Sequence, residues 1–285
     1  MNLDLIKAAL QEKDNPDQRR GGGSDKLWRL DAGDSEAEAL ARIVPYKFDE
    51  DNPFLEMWFH YGVAGRNYLC PRKHGDGECV ICKFGYEVLE EYKRTKNEET
   101  RLTLSVLLPK LRVYSPVVIR GEEEAGVRFW GYSPTLHHEL LKIAVQFGEQ
   151  DIDITDPERG VDIKVHVVSP DQSGKLYPIT DVAFAMDGVS AKIDALVETE
   201  KGAPSKSKIS KLLDTCPNIS EIYDLKPESE LIESLEKYAQ PQGQKENPGT
   251  GTEKFGGSSE KEEEKPAADM DQIGQDFEKM LENDE

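Results

Sequence analysis

Residues 60 to 82 read HYGVAGRNYLCPRKHGDGECVIC and bring five potential metal ligands into one short window: His60, Cys70, His74, Cys79 and Cys82. A tetrahedral zinc site takes four donors. Cys79-x2-Cys82 is the spacing with which a tight turn presents two thiolates to one ion, as zinc knuckles do. Cys70, separated from Cys79 by eight residues, is a third donor if the loop folds back. For the fourth, His60 closes the strand-like FLEMWFH, whose backbone would hold the imidazole in a fixed direction. His74 lies in the Gly-containing loop PRKHGDGE, where it could face solvent. The residues alone leave these two open, and a buried non-ligating His60 is a further alternative.

Three thiolates and one imidazole fill all four positions, so no place remains for the water that a catalytic zinc activates. There is no HExxH. The deaminase pattern needs H-x-E ahead of P-C-x-x-C, whereas Tyr61-Gly62 follows His60 and no proline precedes Cys79. The expected cofactor is one structural Zn2+, fixing an inserted subdomain and worth several kcal/mol of folding energy.

A second group of residues mixes cations with aromatic rings. Arg66, Tyr68, Arg72, Lys73, Lys83 and Tyr86 surround the cysteines, and Tyr92, Lys93, Arg94, Lys96, Lys110, Arg112, Tyr114, Arg120, Arg128, Phe129, Trp130 and Tyr132 follow. Single-stranded nucleic acid needs such a mixture, cations for phosphates and ring faces for bases. Taken singly, strand aromatics are usually core and surface cations usually only solvate, so the reading rests on the group. The chain as a whole carries a net charge of −20, which argues against a polyanionic partner. The charge is unevenly spread, however: residues 61–120 hold 11 basic and 7 acidic side chains, and residues 241–285 hold 5 basic and 13 acidic. That pattern fits a protein that binds a polyanion in one groove while its own tail competes for it.

The elements that must position these residues read mostly as short strands from Leu27 to Arg128: LWRLD, ALARIVPY, FLEMWFHYG, LTLSVLLPK, LRVYSPVVIR and VRFWGY, with GEEEAG a turn. FGYEVLEEYKRT reads as a charged helix. TLHHELLKIAVQF has apolar residues at 136, 140, 143 and 147, a helix capped by Ser133 or Thr135. DIDITD, VDIKVHVVS and KLYPI read as further strands. The fold class expected is mainly β with inserted and flanking helices: an OB-fold core plus a zinc-binding subdomain around residues 60–96, with a helical C-terminal flank. Residues 1–24 are an amphipathic arm, with Leu3, Ile6 and Leu10 on one face, and a Gly-rich linker; 25–240 are the core. Residues 241–285 have a composition that cannot bury a core and are expected to be a disordered acidic tail. Within it Met270, Ile273, Phe277, Met280 and Leu281 recur at helical spacing, a motif for recruiting partners. Cys216 reads as a buried apolar residue.

KLWRLDAGDSEAEALARIVPYK, FLEMWFHYG, LCPRKHGDGECVIC, LRVYSPVVIR, VRFWGYSPTLHHELLKIA and DIDITDPERGVDIKVHVV, in this order, resemble the single-stranded DNA-binding proteins of T4-type bacteriophages. The resemblance spans roughly residues 25–225. It implies an OB-fold core, a zinc subdomain and a cleft between them for single-stranded DNA. It further implies that His60, with Cys70, Cys79 and Cys82, binds the zinc and that His74 is a neighbour. Cleft aromatics correspond to Tyr114, Trp130 and Tyr132, and phosphate contacts to Arg42, Arg112 and Arg128; Arg66, Arg72, Lys73, Lys93 and Lys110 complete the expected DNA-binding set. Implied partners are single-stranded DNA, neighbouring copies of the chain, and phage replication and recombination proteins recruited by Ile273, Phe277, Met280 and Leu281. Two departures stand out. The family's arm carries a Lys/Arg run followed by Ser/Thr, whereas this arm has Lys7 and Lys13 among acids and then Arg19-Arg20; the second basic run is reduced to PKLRVYS. Cooperative binding is therefore expected to be weaker or to use another contact.

The function expected is a non-enzymatic coat for single-stranded DNA in viral replication, recombination and repair, removing hairpins by binding the open strand. Two rivals stand beside it. A zinc-containing nuclease would need a carboxylate cluster for Mg2+, for which Asp151, Asp153 and Asp156 are the candidates. A zinc-bearing adaptor would bind only proteins. No apolar run approaches the roughly 20 residues that cross a bilayer, and the N-terminus lacks an apolar secretory stretch. The expected setting is the cytoplasm of an infected bacterium.

Overall fold

Strand β5 (Lys110–Ile119) organises the protein: from Val113 to Ile119 every side chain is buried, as in a strand covered on both faces. The computed structural model describes residues 25–49, 52–75, 77–175, 177–184 and 206–239. The other strands are β1 (Leu27–Trp28), β2 (Glu36–Ile43), β3 (Leu55–Val63), β4 (Arg66–Leu69), β6 (Arg128–Tyr132), β7 (Asp162–Val168) and β8 (Ile179–Phe184). The helices are α1 (Pro71–His74), α2 (Val80–Thr95), α3 (Glu98–Leu107), α4 (Pro134–Gly148), α5 (Pro170–Ser173), α6 (Lys206–Asp214) and α7 (Glu228–Ala239). None is long and apolar enough to cross a membrane. The N-terminal arm and the acidic tail, with Ile273, Phe277, Met280 and Leu281, lie outside the described residues.

The eight strands form one mixed sheet with flanking helices. Val113 and Tyr114 pair with β6 as well as with β3, and Val117 pairs with β6 as well as with β2. β3 and β2 therefore lie end to end along one edge of β5, with β6 on the other. The sheet continues from β2 through β7 to β8, all antiparallel; β4 pairs with β3, and β1 runs parallel to β6.

Alternation along β5 divides the interior. Val113, Val117 and Ile119 join Trp28, Ile43, Trp130, Tyr132 and Ile163 in a core covered by Leu136, Leu140 and Ile143 of α4. Ser133 caps that helix by accepting the Leu136 N–H at 3.2 Å. Tyr114 and Val118 face the other way, toward Met57, Phe59 and Phe129, and are covered by Leu212, Cys216 and Ile219. Cys216 is thus a buried apolar side chain. A third core holds the clustered cysteines with Val63, Tyr68, Ile81, Leu107 and Leu231.

Three sequence-derived elements change. LTLSVLLPK, expected as a strand, is mostly helix α3. Asn97 caps it by accepting the Glu99 N–H at 2.8 Å, two acids occupy the first turn, and Leu104 and Leu107 are buried three apart. The apparent alternation of Leu, Thr and Ser masked that helical pattern. DIDITD is a turn. The Asp153 carboxylate accepts the Thr155 N–H and hydroxyl at 2.8 Å, and Asp156 accepts the Glu158 and Arg159 N–H groups. These local bonds compete with strand pairing. The strand expected at KLYPI begins only at Ile179.

Candidate metal centre

β3 alternates between two environments. Met57 and Phe59 enter the second core, while His60 points to the third, where Cys70, Cys79 and Cys82 meet it. β4 delivers Cys70 at its end. Cys79 is the N-cap of α2 and Cys82 lies in its first turn, where unpaired backbone N–H groups favour negative charge. None of the four residues is more than 3% exposed.

Their ligand atoms lie within 4.8 Å of one another. Cys70 Sγ is 3.5 Å from Cys82 Sγ, and His60 Nε2 is 3.3 Å from Cys79 Sγ and 3.7 Å from Cys82 Sγ. A tetrahedron with Zn–S and Zn–N bonds of about 2.3 and 2.0 Å has edges of about 3.8 Å between sulfurs and about 3.5 Å between sulfur and nitrogen. The cluster fits such an ion and could hold a metal such as zinc. Among the described residues it is the place where three or more His, Cys, Asp or Glu ligand atoms converge. The Asp151, Asp153 and Asp156 set offers no counterpart, since Asp153 and Asp156 serve their own turn.

His60 Nδ1 donates to the Leu107 carbonyl at 2.7 Å, which leaves Nε2 for the ion. The bond comes from the end of α3. Burial by itself lowers the His60 pKa, but hydrogen bonds with Cys70 and Cys79 outweigh it and raise it to about 9. Hydrogen bonds with Cys70 and Cys82 draw Cys79 far below the usual thiol range, whereas contacts with Cys70 and Cys79 push Cys82 upward. Without a cation the three thiols cannot all ionise side by side; a divalent metal would stabilise all three thiolates.

His74 has different work. Its Nε2 accepts the Trp58 N–H at 2.7 Å, and the Trp58 carbonyl accepts the Cys70 N–H at 2.8 Å. Burial lowers the His74 pKa, which keeps the ring neutral and able to accept. The loop histidine thus docks the cysteine loop on β3, and His60 is the one in the cluster.

The expected nucleic-acid residues separate into three groups, with four corrections. Arg42, expected on phosphate, is fully buried, its Nε donating to Asp162 at 2.7 Å. Tyr114, Trp130 and Tyr132, expected to stack on bases, are 7%, 4% and 3% exposed and belong to the cores. Trp130 and Tyr132 also face away from Tyr114, because β6 alternates too. Rings packed on both faces offer no stacking surface. Arg128 is mostly buried and donates to Glu122 at 2.5 Å; Arg66 and Lys93 are exposed and lie 3.6 and 3.3 Å from Glu230 and Glu90. Arg72 and Lys73 are half-buried on α1, 5.3 Å from the ring centroids of Tyr86 and Trp58.

Lys110 and Arg112 remain. They share one face of β5, opposite Phe59 and Met57 of β3 in the register. Among the described residues neither pairs with a carboxylate, and burial lowers the Lys110 pKa with nothing to offset it. Tyr61 and Tyr223, half-buried rings absent from the expected set, pack against Phe59, the register partner of Lys110: Phe59 is 5.7 Å from Tyr61 and 4.9 Å from Tyr223. Period-two alternation in FLEMWFHYG places Tyr61 with Phe59; nothing in the sequence marks Tyr223. Neither a family model nor a curated protein matches the chain.

Proposed function

We propose that the protein binds single-stranded DNA without sequence preference, coating it and opening its secondary structure during viral DNA replication, recombination and repair. The observation that carries this reading is the face of β3 and β5 on which Lys110 and Arg112 stand beside the half-buried rings of Tyr61 and Tyr223. Cations without carboxylate partners suit phosphates, and partly open rings suit unstacked bases. No such surface is needed for a duplex, whose bases are already stacked. The reading also takes the metal to be zinc, closed by four protein donors and structural, and the core to be an OB-type barrel derivative. The resemblance in motif order to the phage single-stranded DNA-binding proteins supports it.

Phosphate contacts position the strand and ring contacts read no base edges, so binding is insensitive to sequence. In this reading neighbouring copies and replication proteins are the further partners, the latter through Ile273, Phe277, Met280 and Leu281. Titrating the zinc-loaded protein with labelled oligo-dT at several salt concentrations tests the function. Tight binding that weakens steeply with salt, with little response to duplex of equal length, is expected. No binding at low salt would overturn the proposal.

A further inference from the structure

The chain from α6 toward α7 returns to the sheet and lays Leu212 of α6, with Cys216 and Ile219 beyond it, on the second core. Polar contacts fix its position. Tyr46 Oη accepts the Ile219 N–H at 3.2 Å and lies 3.3 Å from Asn218 Oδ1, and Thr215 Oγ1 accepts the Val127 N–H at 2.8 Å. Its acids are engaged by lysines: Asp214 by Lys47 at 3.1 Å and Glu221 by Lys26 at 2.7 Å. The carboxylates of this segment therefore do not neutralise the cations of β5.

At its end stands Tyr223. The ring lies 5.2 Å from that of Tyr114 and 4.9 Å from that of Phe59, and its hydroxyl is 2.9 Å from the Tyr114 hydroxyl. Tyr114 can lie there because Gly131 opposite it has no Cβ; one would fall 2.6 Å from the Tyr114 ring. Arg112 is anchored by one N–H to the Gly131 carbonyl at 2.6 Å. Its charge reaches both Tyr61 and Tyr223, opposing the rise that burial imposes on their pKa values. Two half-buried rings thus pack against the buried Phe59, on the face of the sheet that carries Arg112.

From this arrangement we infer that the segment Lys206–Tyr223 is a wall of the nucleic-acid site, in which Tyr223 and Tyr61 each stack on a base and Arg112, on the same face of the sheet, binds the connecting phosphate. This rests on the single-stranded DNA reading and adds its stacking residues, which lie neither in Tyr114 nor in Trp130 or Tyr132. The rings are held by packing before any strand arrives, so little ordering cost is left to binding.

The test uses full-length, zinc-loaded protein and fluorescein-labelled oligo-dT, read by anisotropy. Tyr223→Phe and Tyr61→Phe keep the rings and are expected to bind within about twofold of wild type. Tyr223→Leu and Tyr61→Leu fill space without a ring and are expected to weaken binding by roughly 5- to 150-fold each, the equivalent of about 1–3 kcal/mol per stacked base. Because their charges are unchanged, the salt slope should hold, whereas Arg112→Gln should reduce it by about 1. Thermal melts and bound zinc identify any variant that does not fold. Photo-cross-linking of wild type to an oligonucleotide carrying 5-iodouracil needs no variant and should mark Tyr223 or Tyr61. Cross-links at neither ring, or folded Leu variants that bind as wild type does, would overturn the inference while leaving single-stranded DNA binding intact. Failure of the wild type to bind oligo-dT would instead remove the function on which it rests.

Discussion

Single side chains separate roles that sequence motifs left together. His60 and His74 both stood as possible ligands, yet one lies in the sulfur cluster and the other accepts the Trp58 N–H. His60→Ala is expected to abolish stoichiometric metal binding, measured by a colorimetric zinc assay. His74→Ala should keep the metal and lose about 1 kcal/mol, the worth of one hydrogen bond. The His74 contribution depends on pH. Its folded pKa lies below the ordinary 6.5, so the folded state binds fewer protons than the unfolded one as pH falls through that range. The stabilisation is full above 6.5 and lost below it. The wild type's advantage over His74→Ala in urea melts should therefore shrink as pH drops below 6.5. Arg42 is a different case. Its partner Asp162 is 3% exposed and also accepts from Arg120 Nε at 3.0 Å. Removing Arg42 leaves that carboxylate short of a cation, at a cost of about 3–5 kcal/mol. Arg42→Ala should lower thermal stability sharply, and an unchanged melt would contradict the buried pair.

Among the elements, β3 is the one that joins the His/Cys cluster to the proposed DNA-binding face. Its even-numbered His60 reaches the metal cluster while the odd-numbered Phe59 and Tyr61 face the cations of β5. Its register with β4 shifts between His60 and Val63, next to Tyr61. A metal on His60 would therefore pin the strand where its pairing is least regular. Stripping the metal with a chelator at neutral pH is expected to cost several kcal/mol of stability and to weaken oligo-dT binding as well. Loss of stability with full retention of binding would show that β3 keeps its place unaided. β5 and β6 depend on each other through Gly131. Gly131→Ala drives a Cβ into the Tyr114 ring and is expected to cost about 1–3 kcal/mol, as overpacking does. Fluorescence or calorimetric melts measure it directly.

For the whole molecule the net charge of −20 sets the background against which any polyanion must bind. Deleting residues 241–285 removes a net −8 and leaves −12. Oligo-dT affinity is expected to rise on deletion at low salt, with the gain fading as salt screens the difference; weaker binding after deletion would sink the competing-tail idea. Cys70, Cys79, Cys82 and a histidine were legible because metal chemistry fixes both residue types and spacing. So were α2, α4, α7 and most strands, because burial on one face imposes a period. The α3 helix was not legible, since its apolar residues satisfied two periods at once. Nor was the choice of rings. An aromatic in a strand has the same local signature whether its face meets another ring or a groove, and that depends on what long-range contacts lay across it. Residue types and their spacing carry the metal-type ligand set, the alternating strands and the basic sector in an acidic chain. Packing in three dimensions puts His60 in the cluster, makes Arg42, Tyr114, Trp130 and Tyr132 interior, and brings Tyr223 beside Phe59 and Tyr114. Burial is a property of the surroundings, and those surroundings include residues more than a hundred positions away, as Asp162 is from Arg42 and Tyr223 from Tyr114.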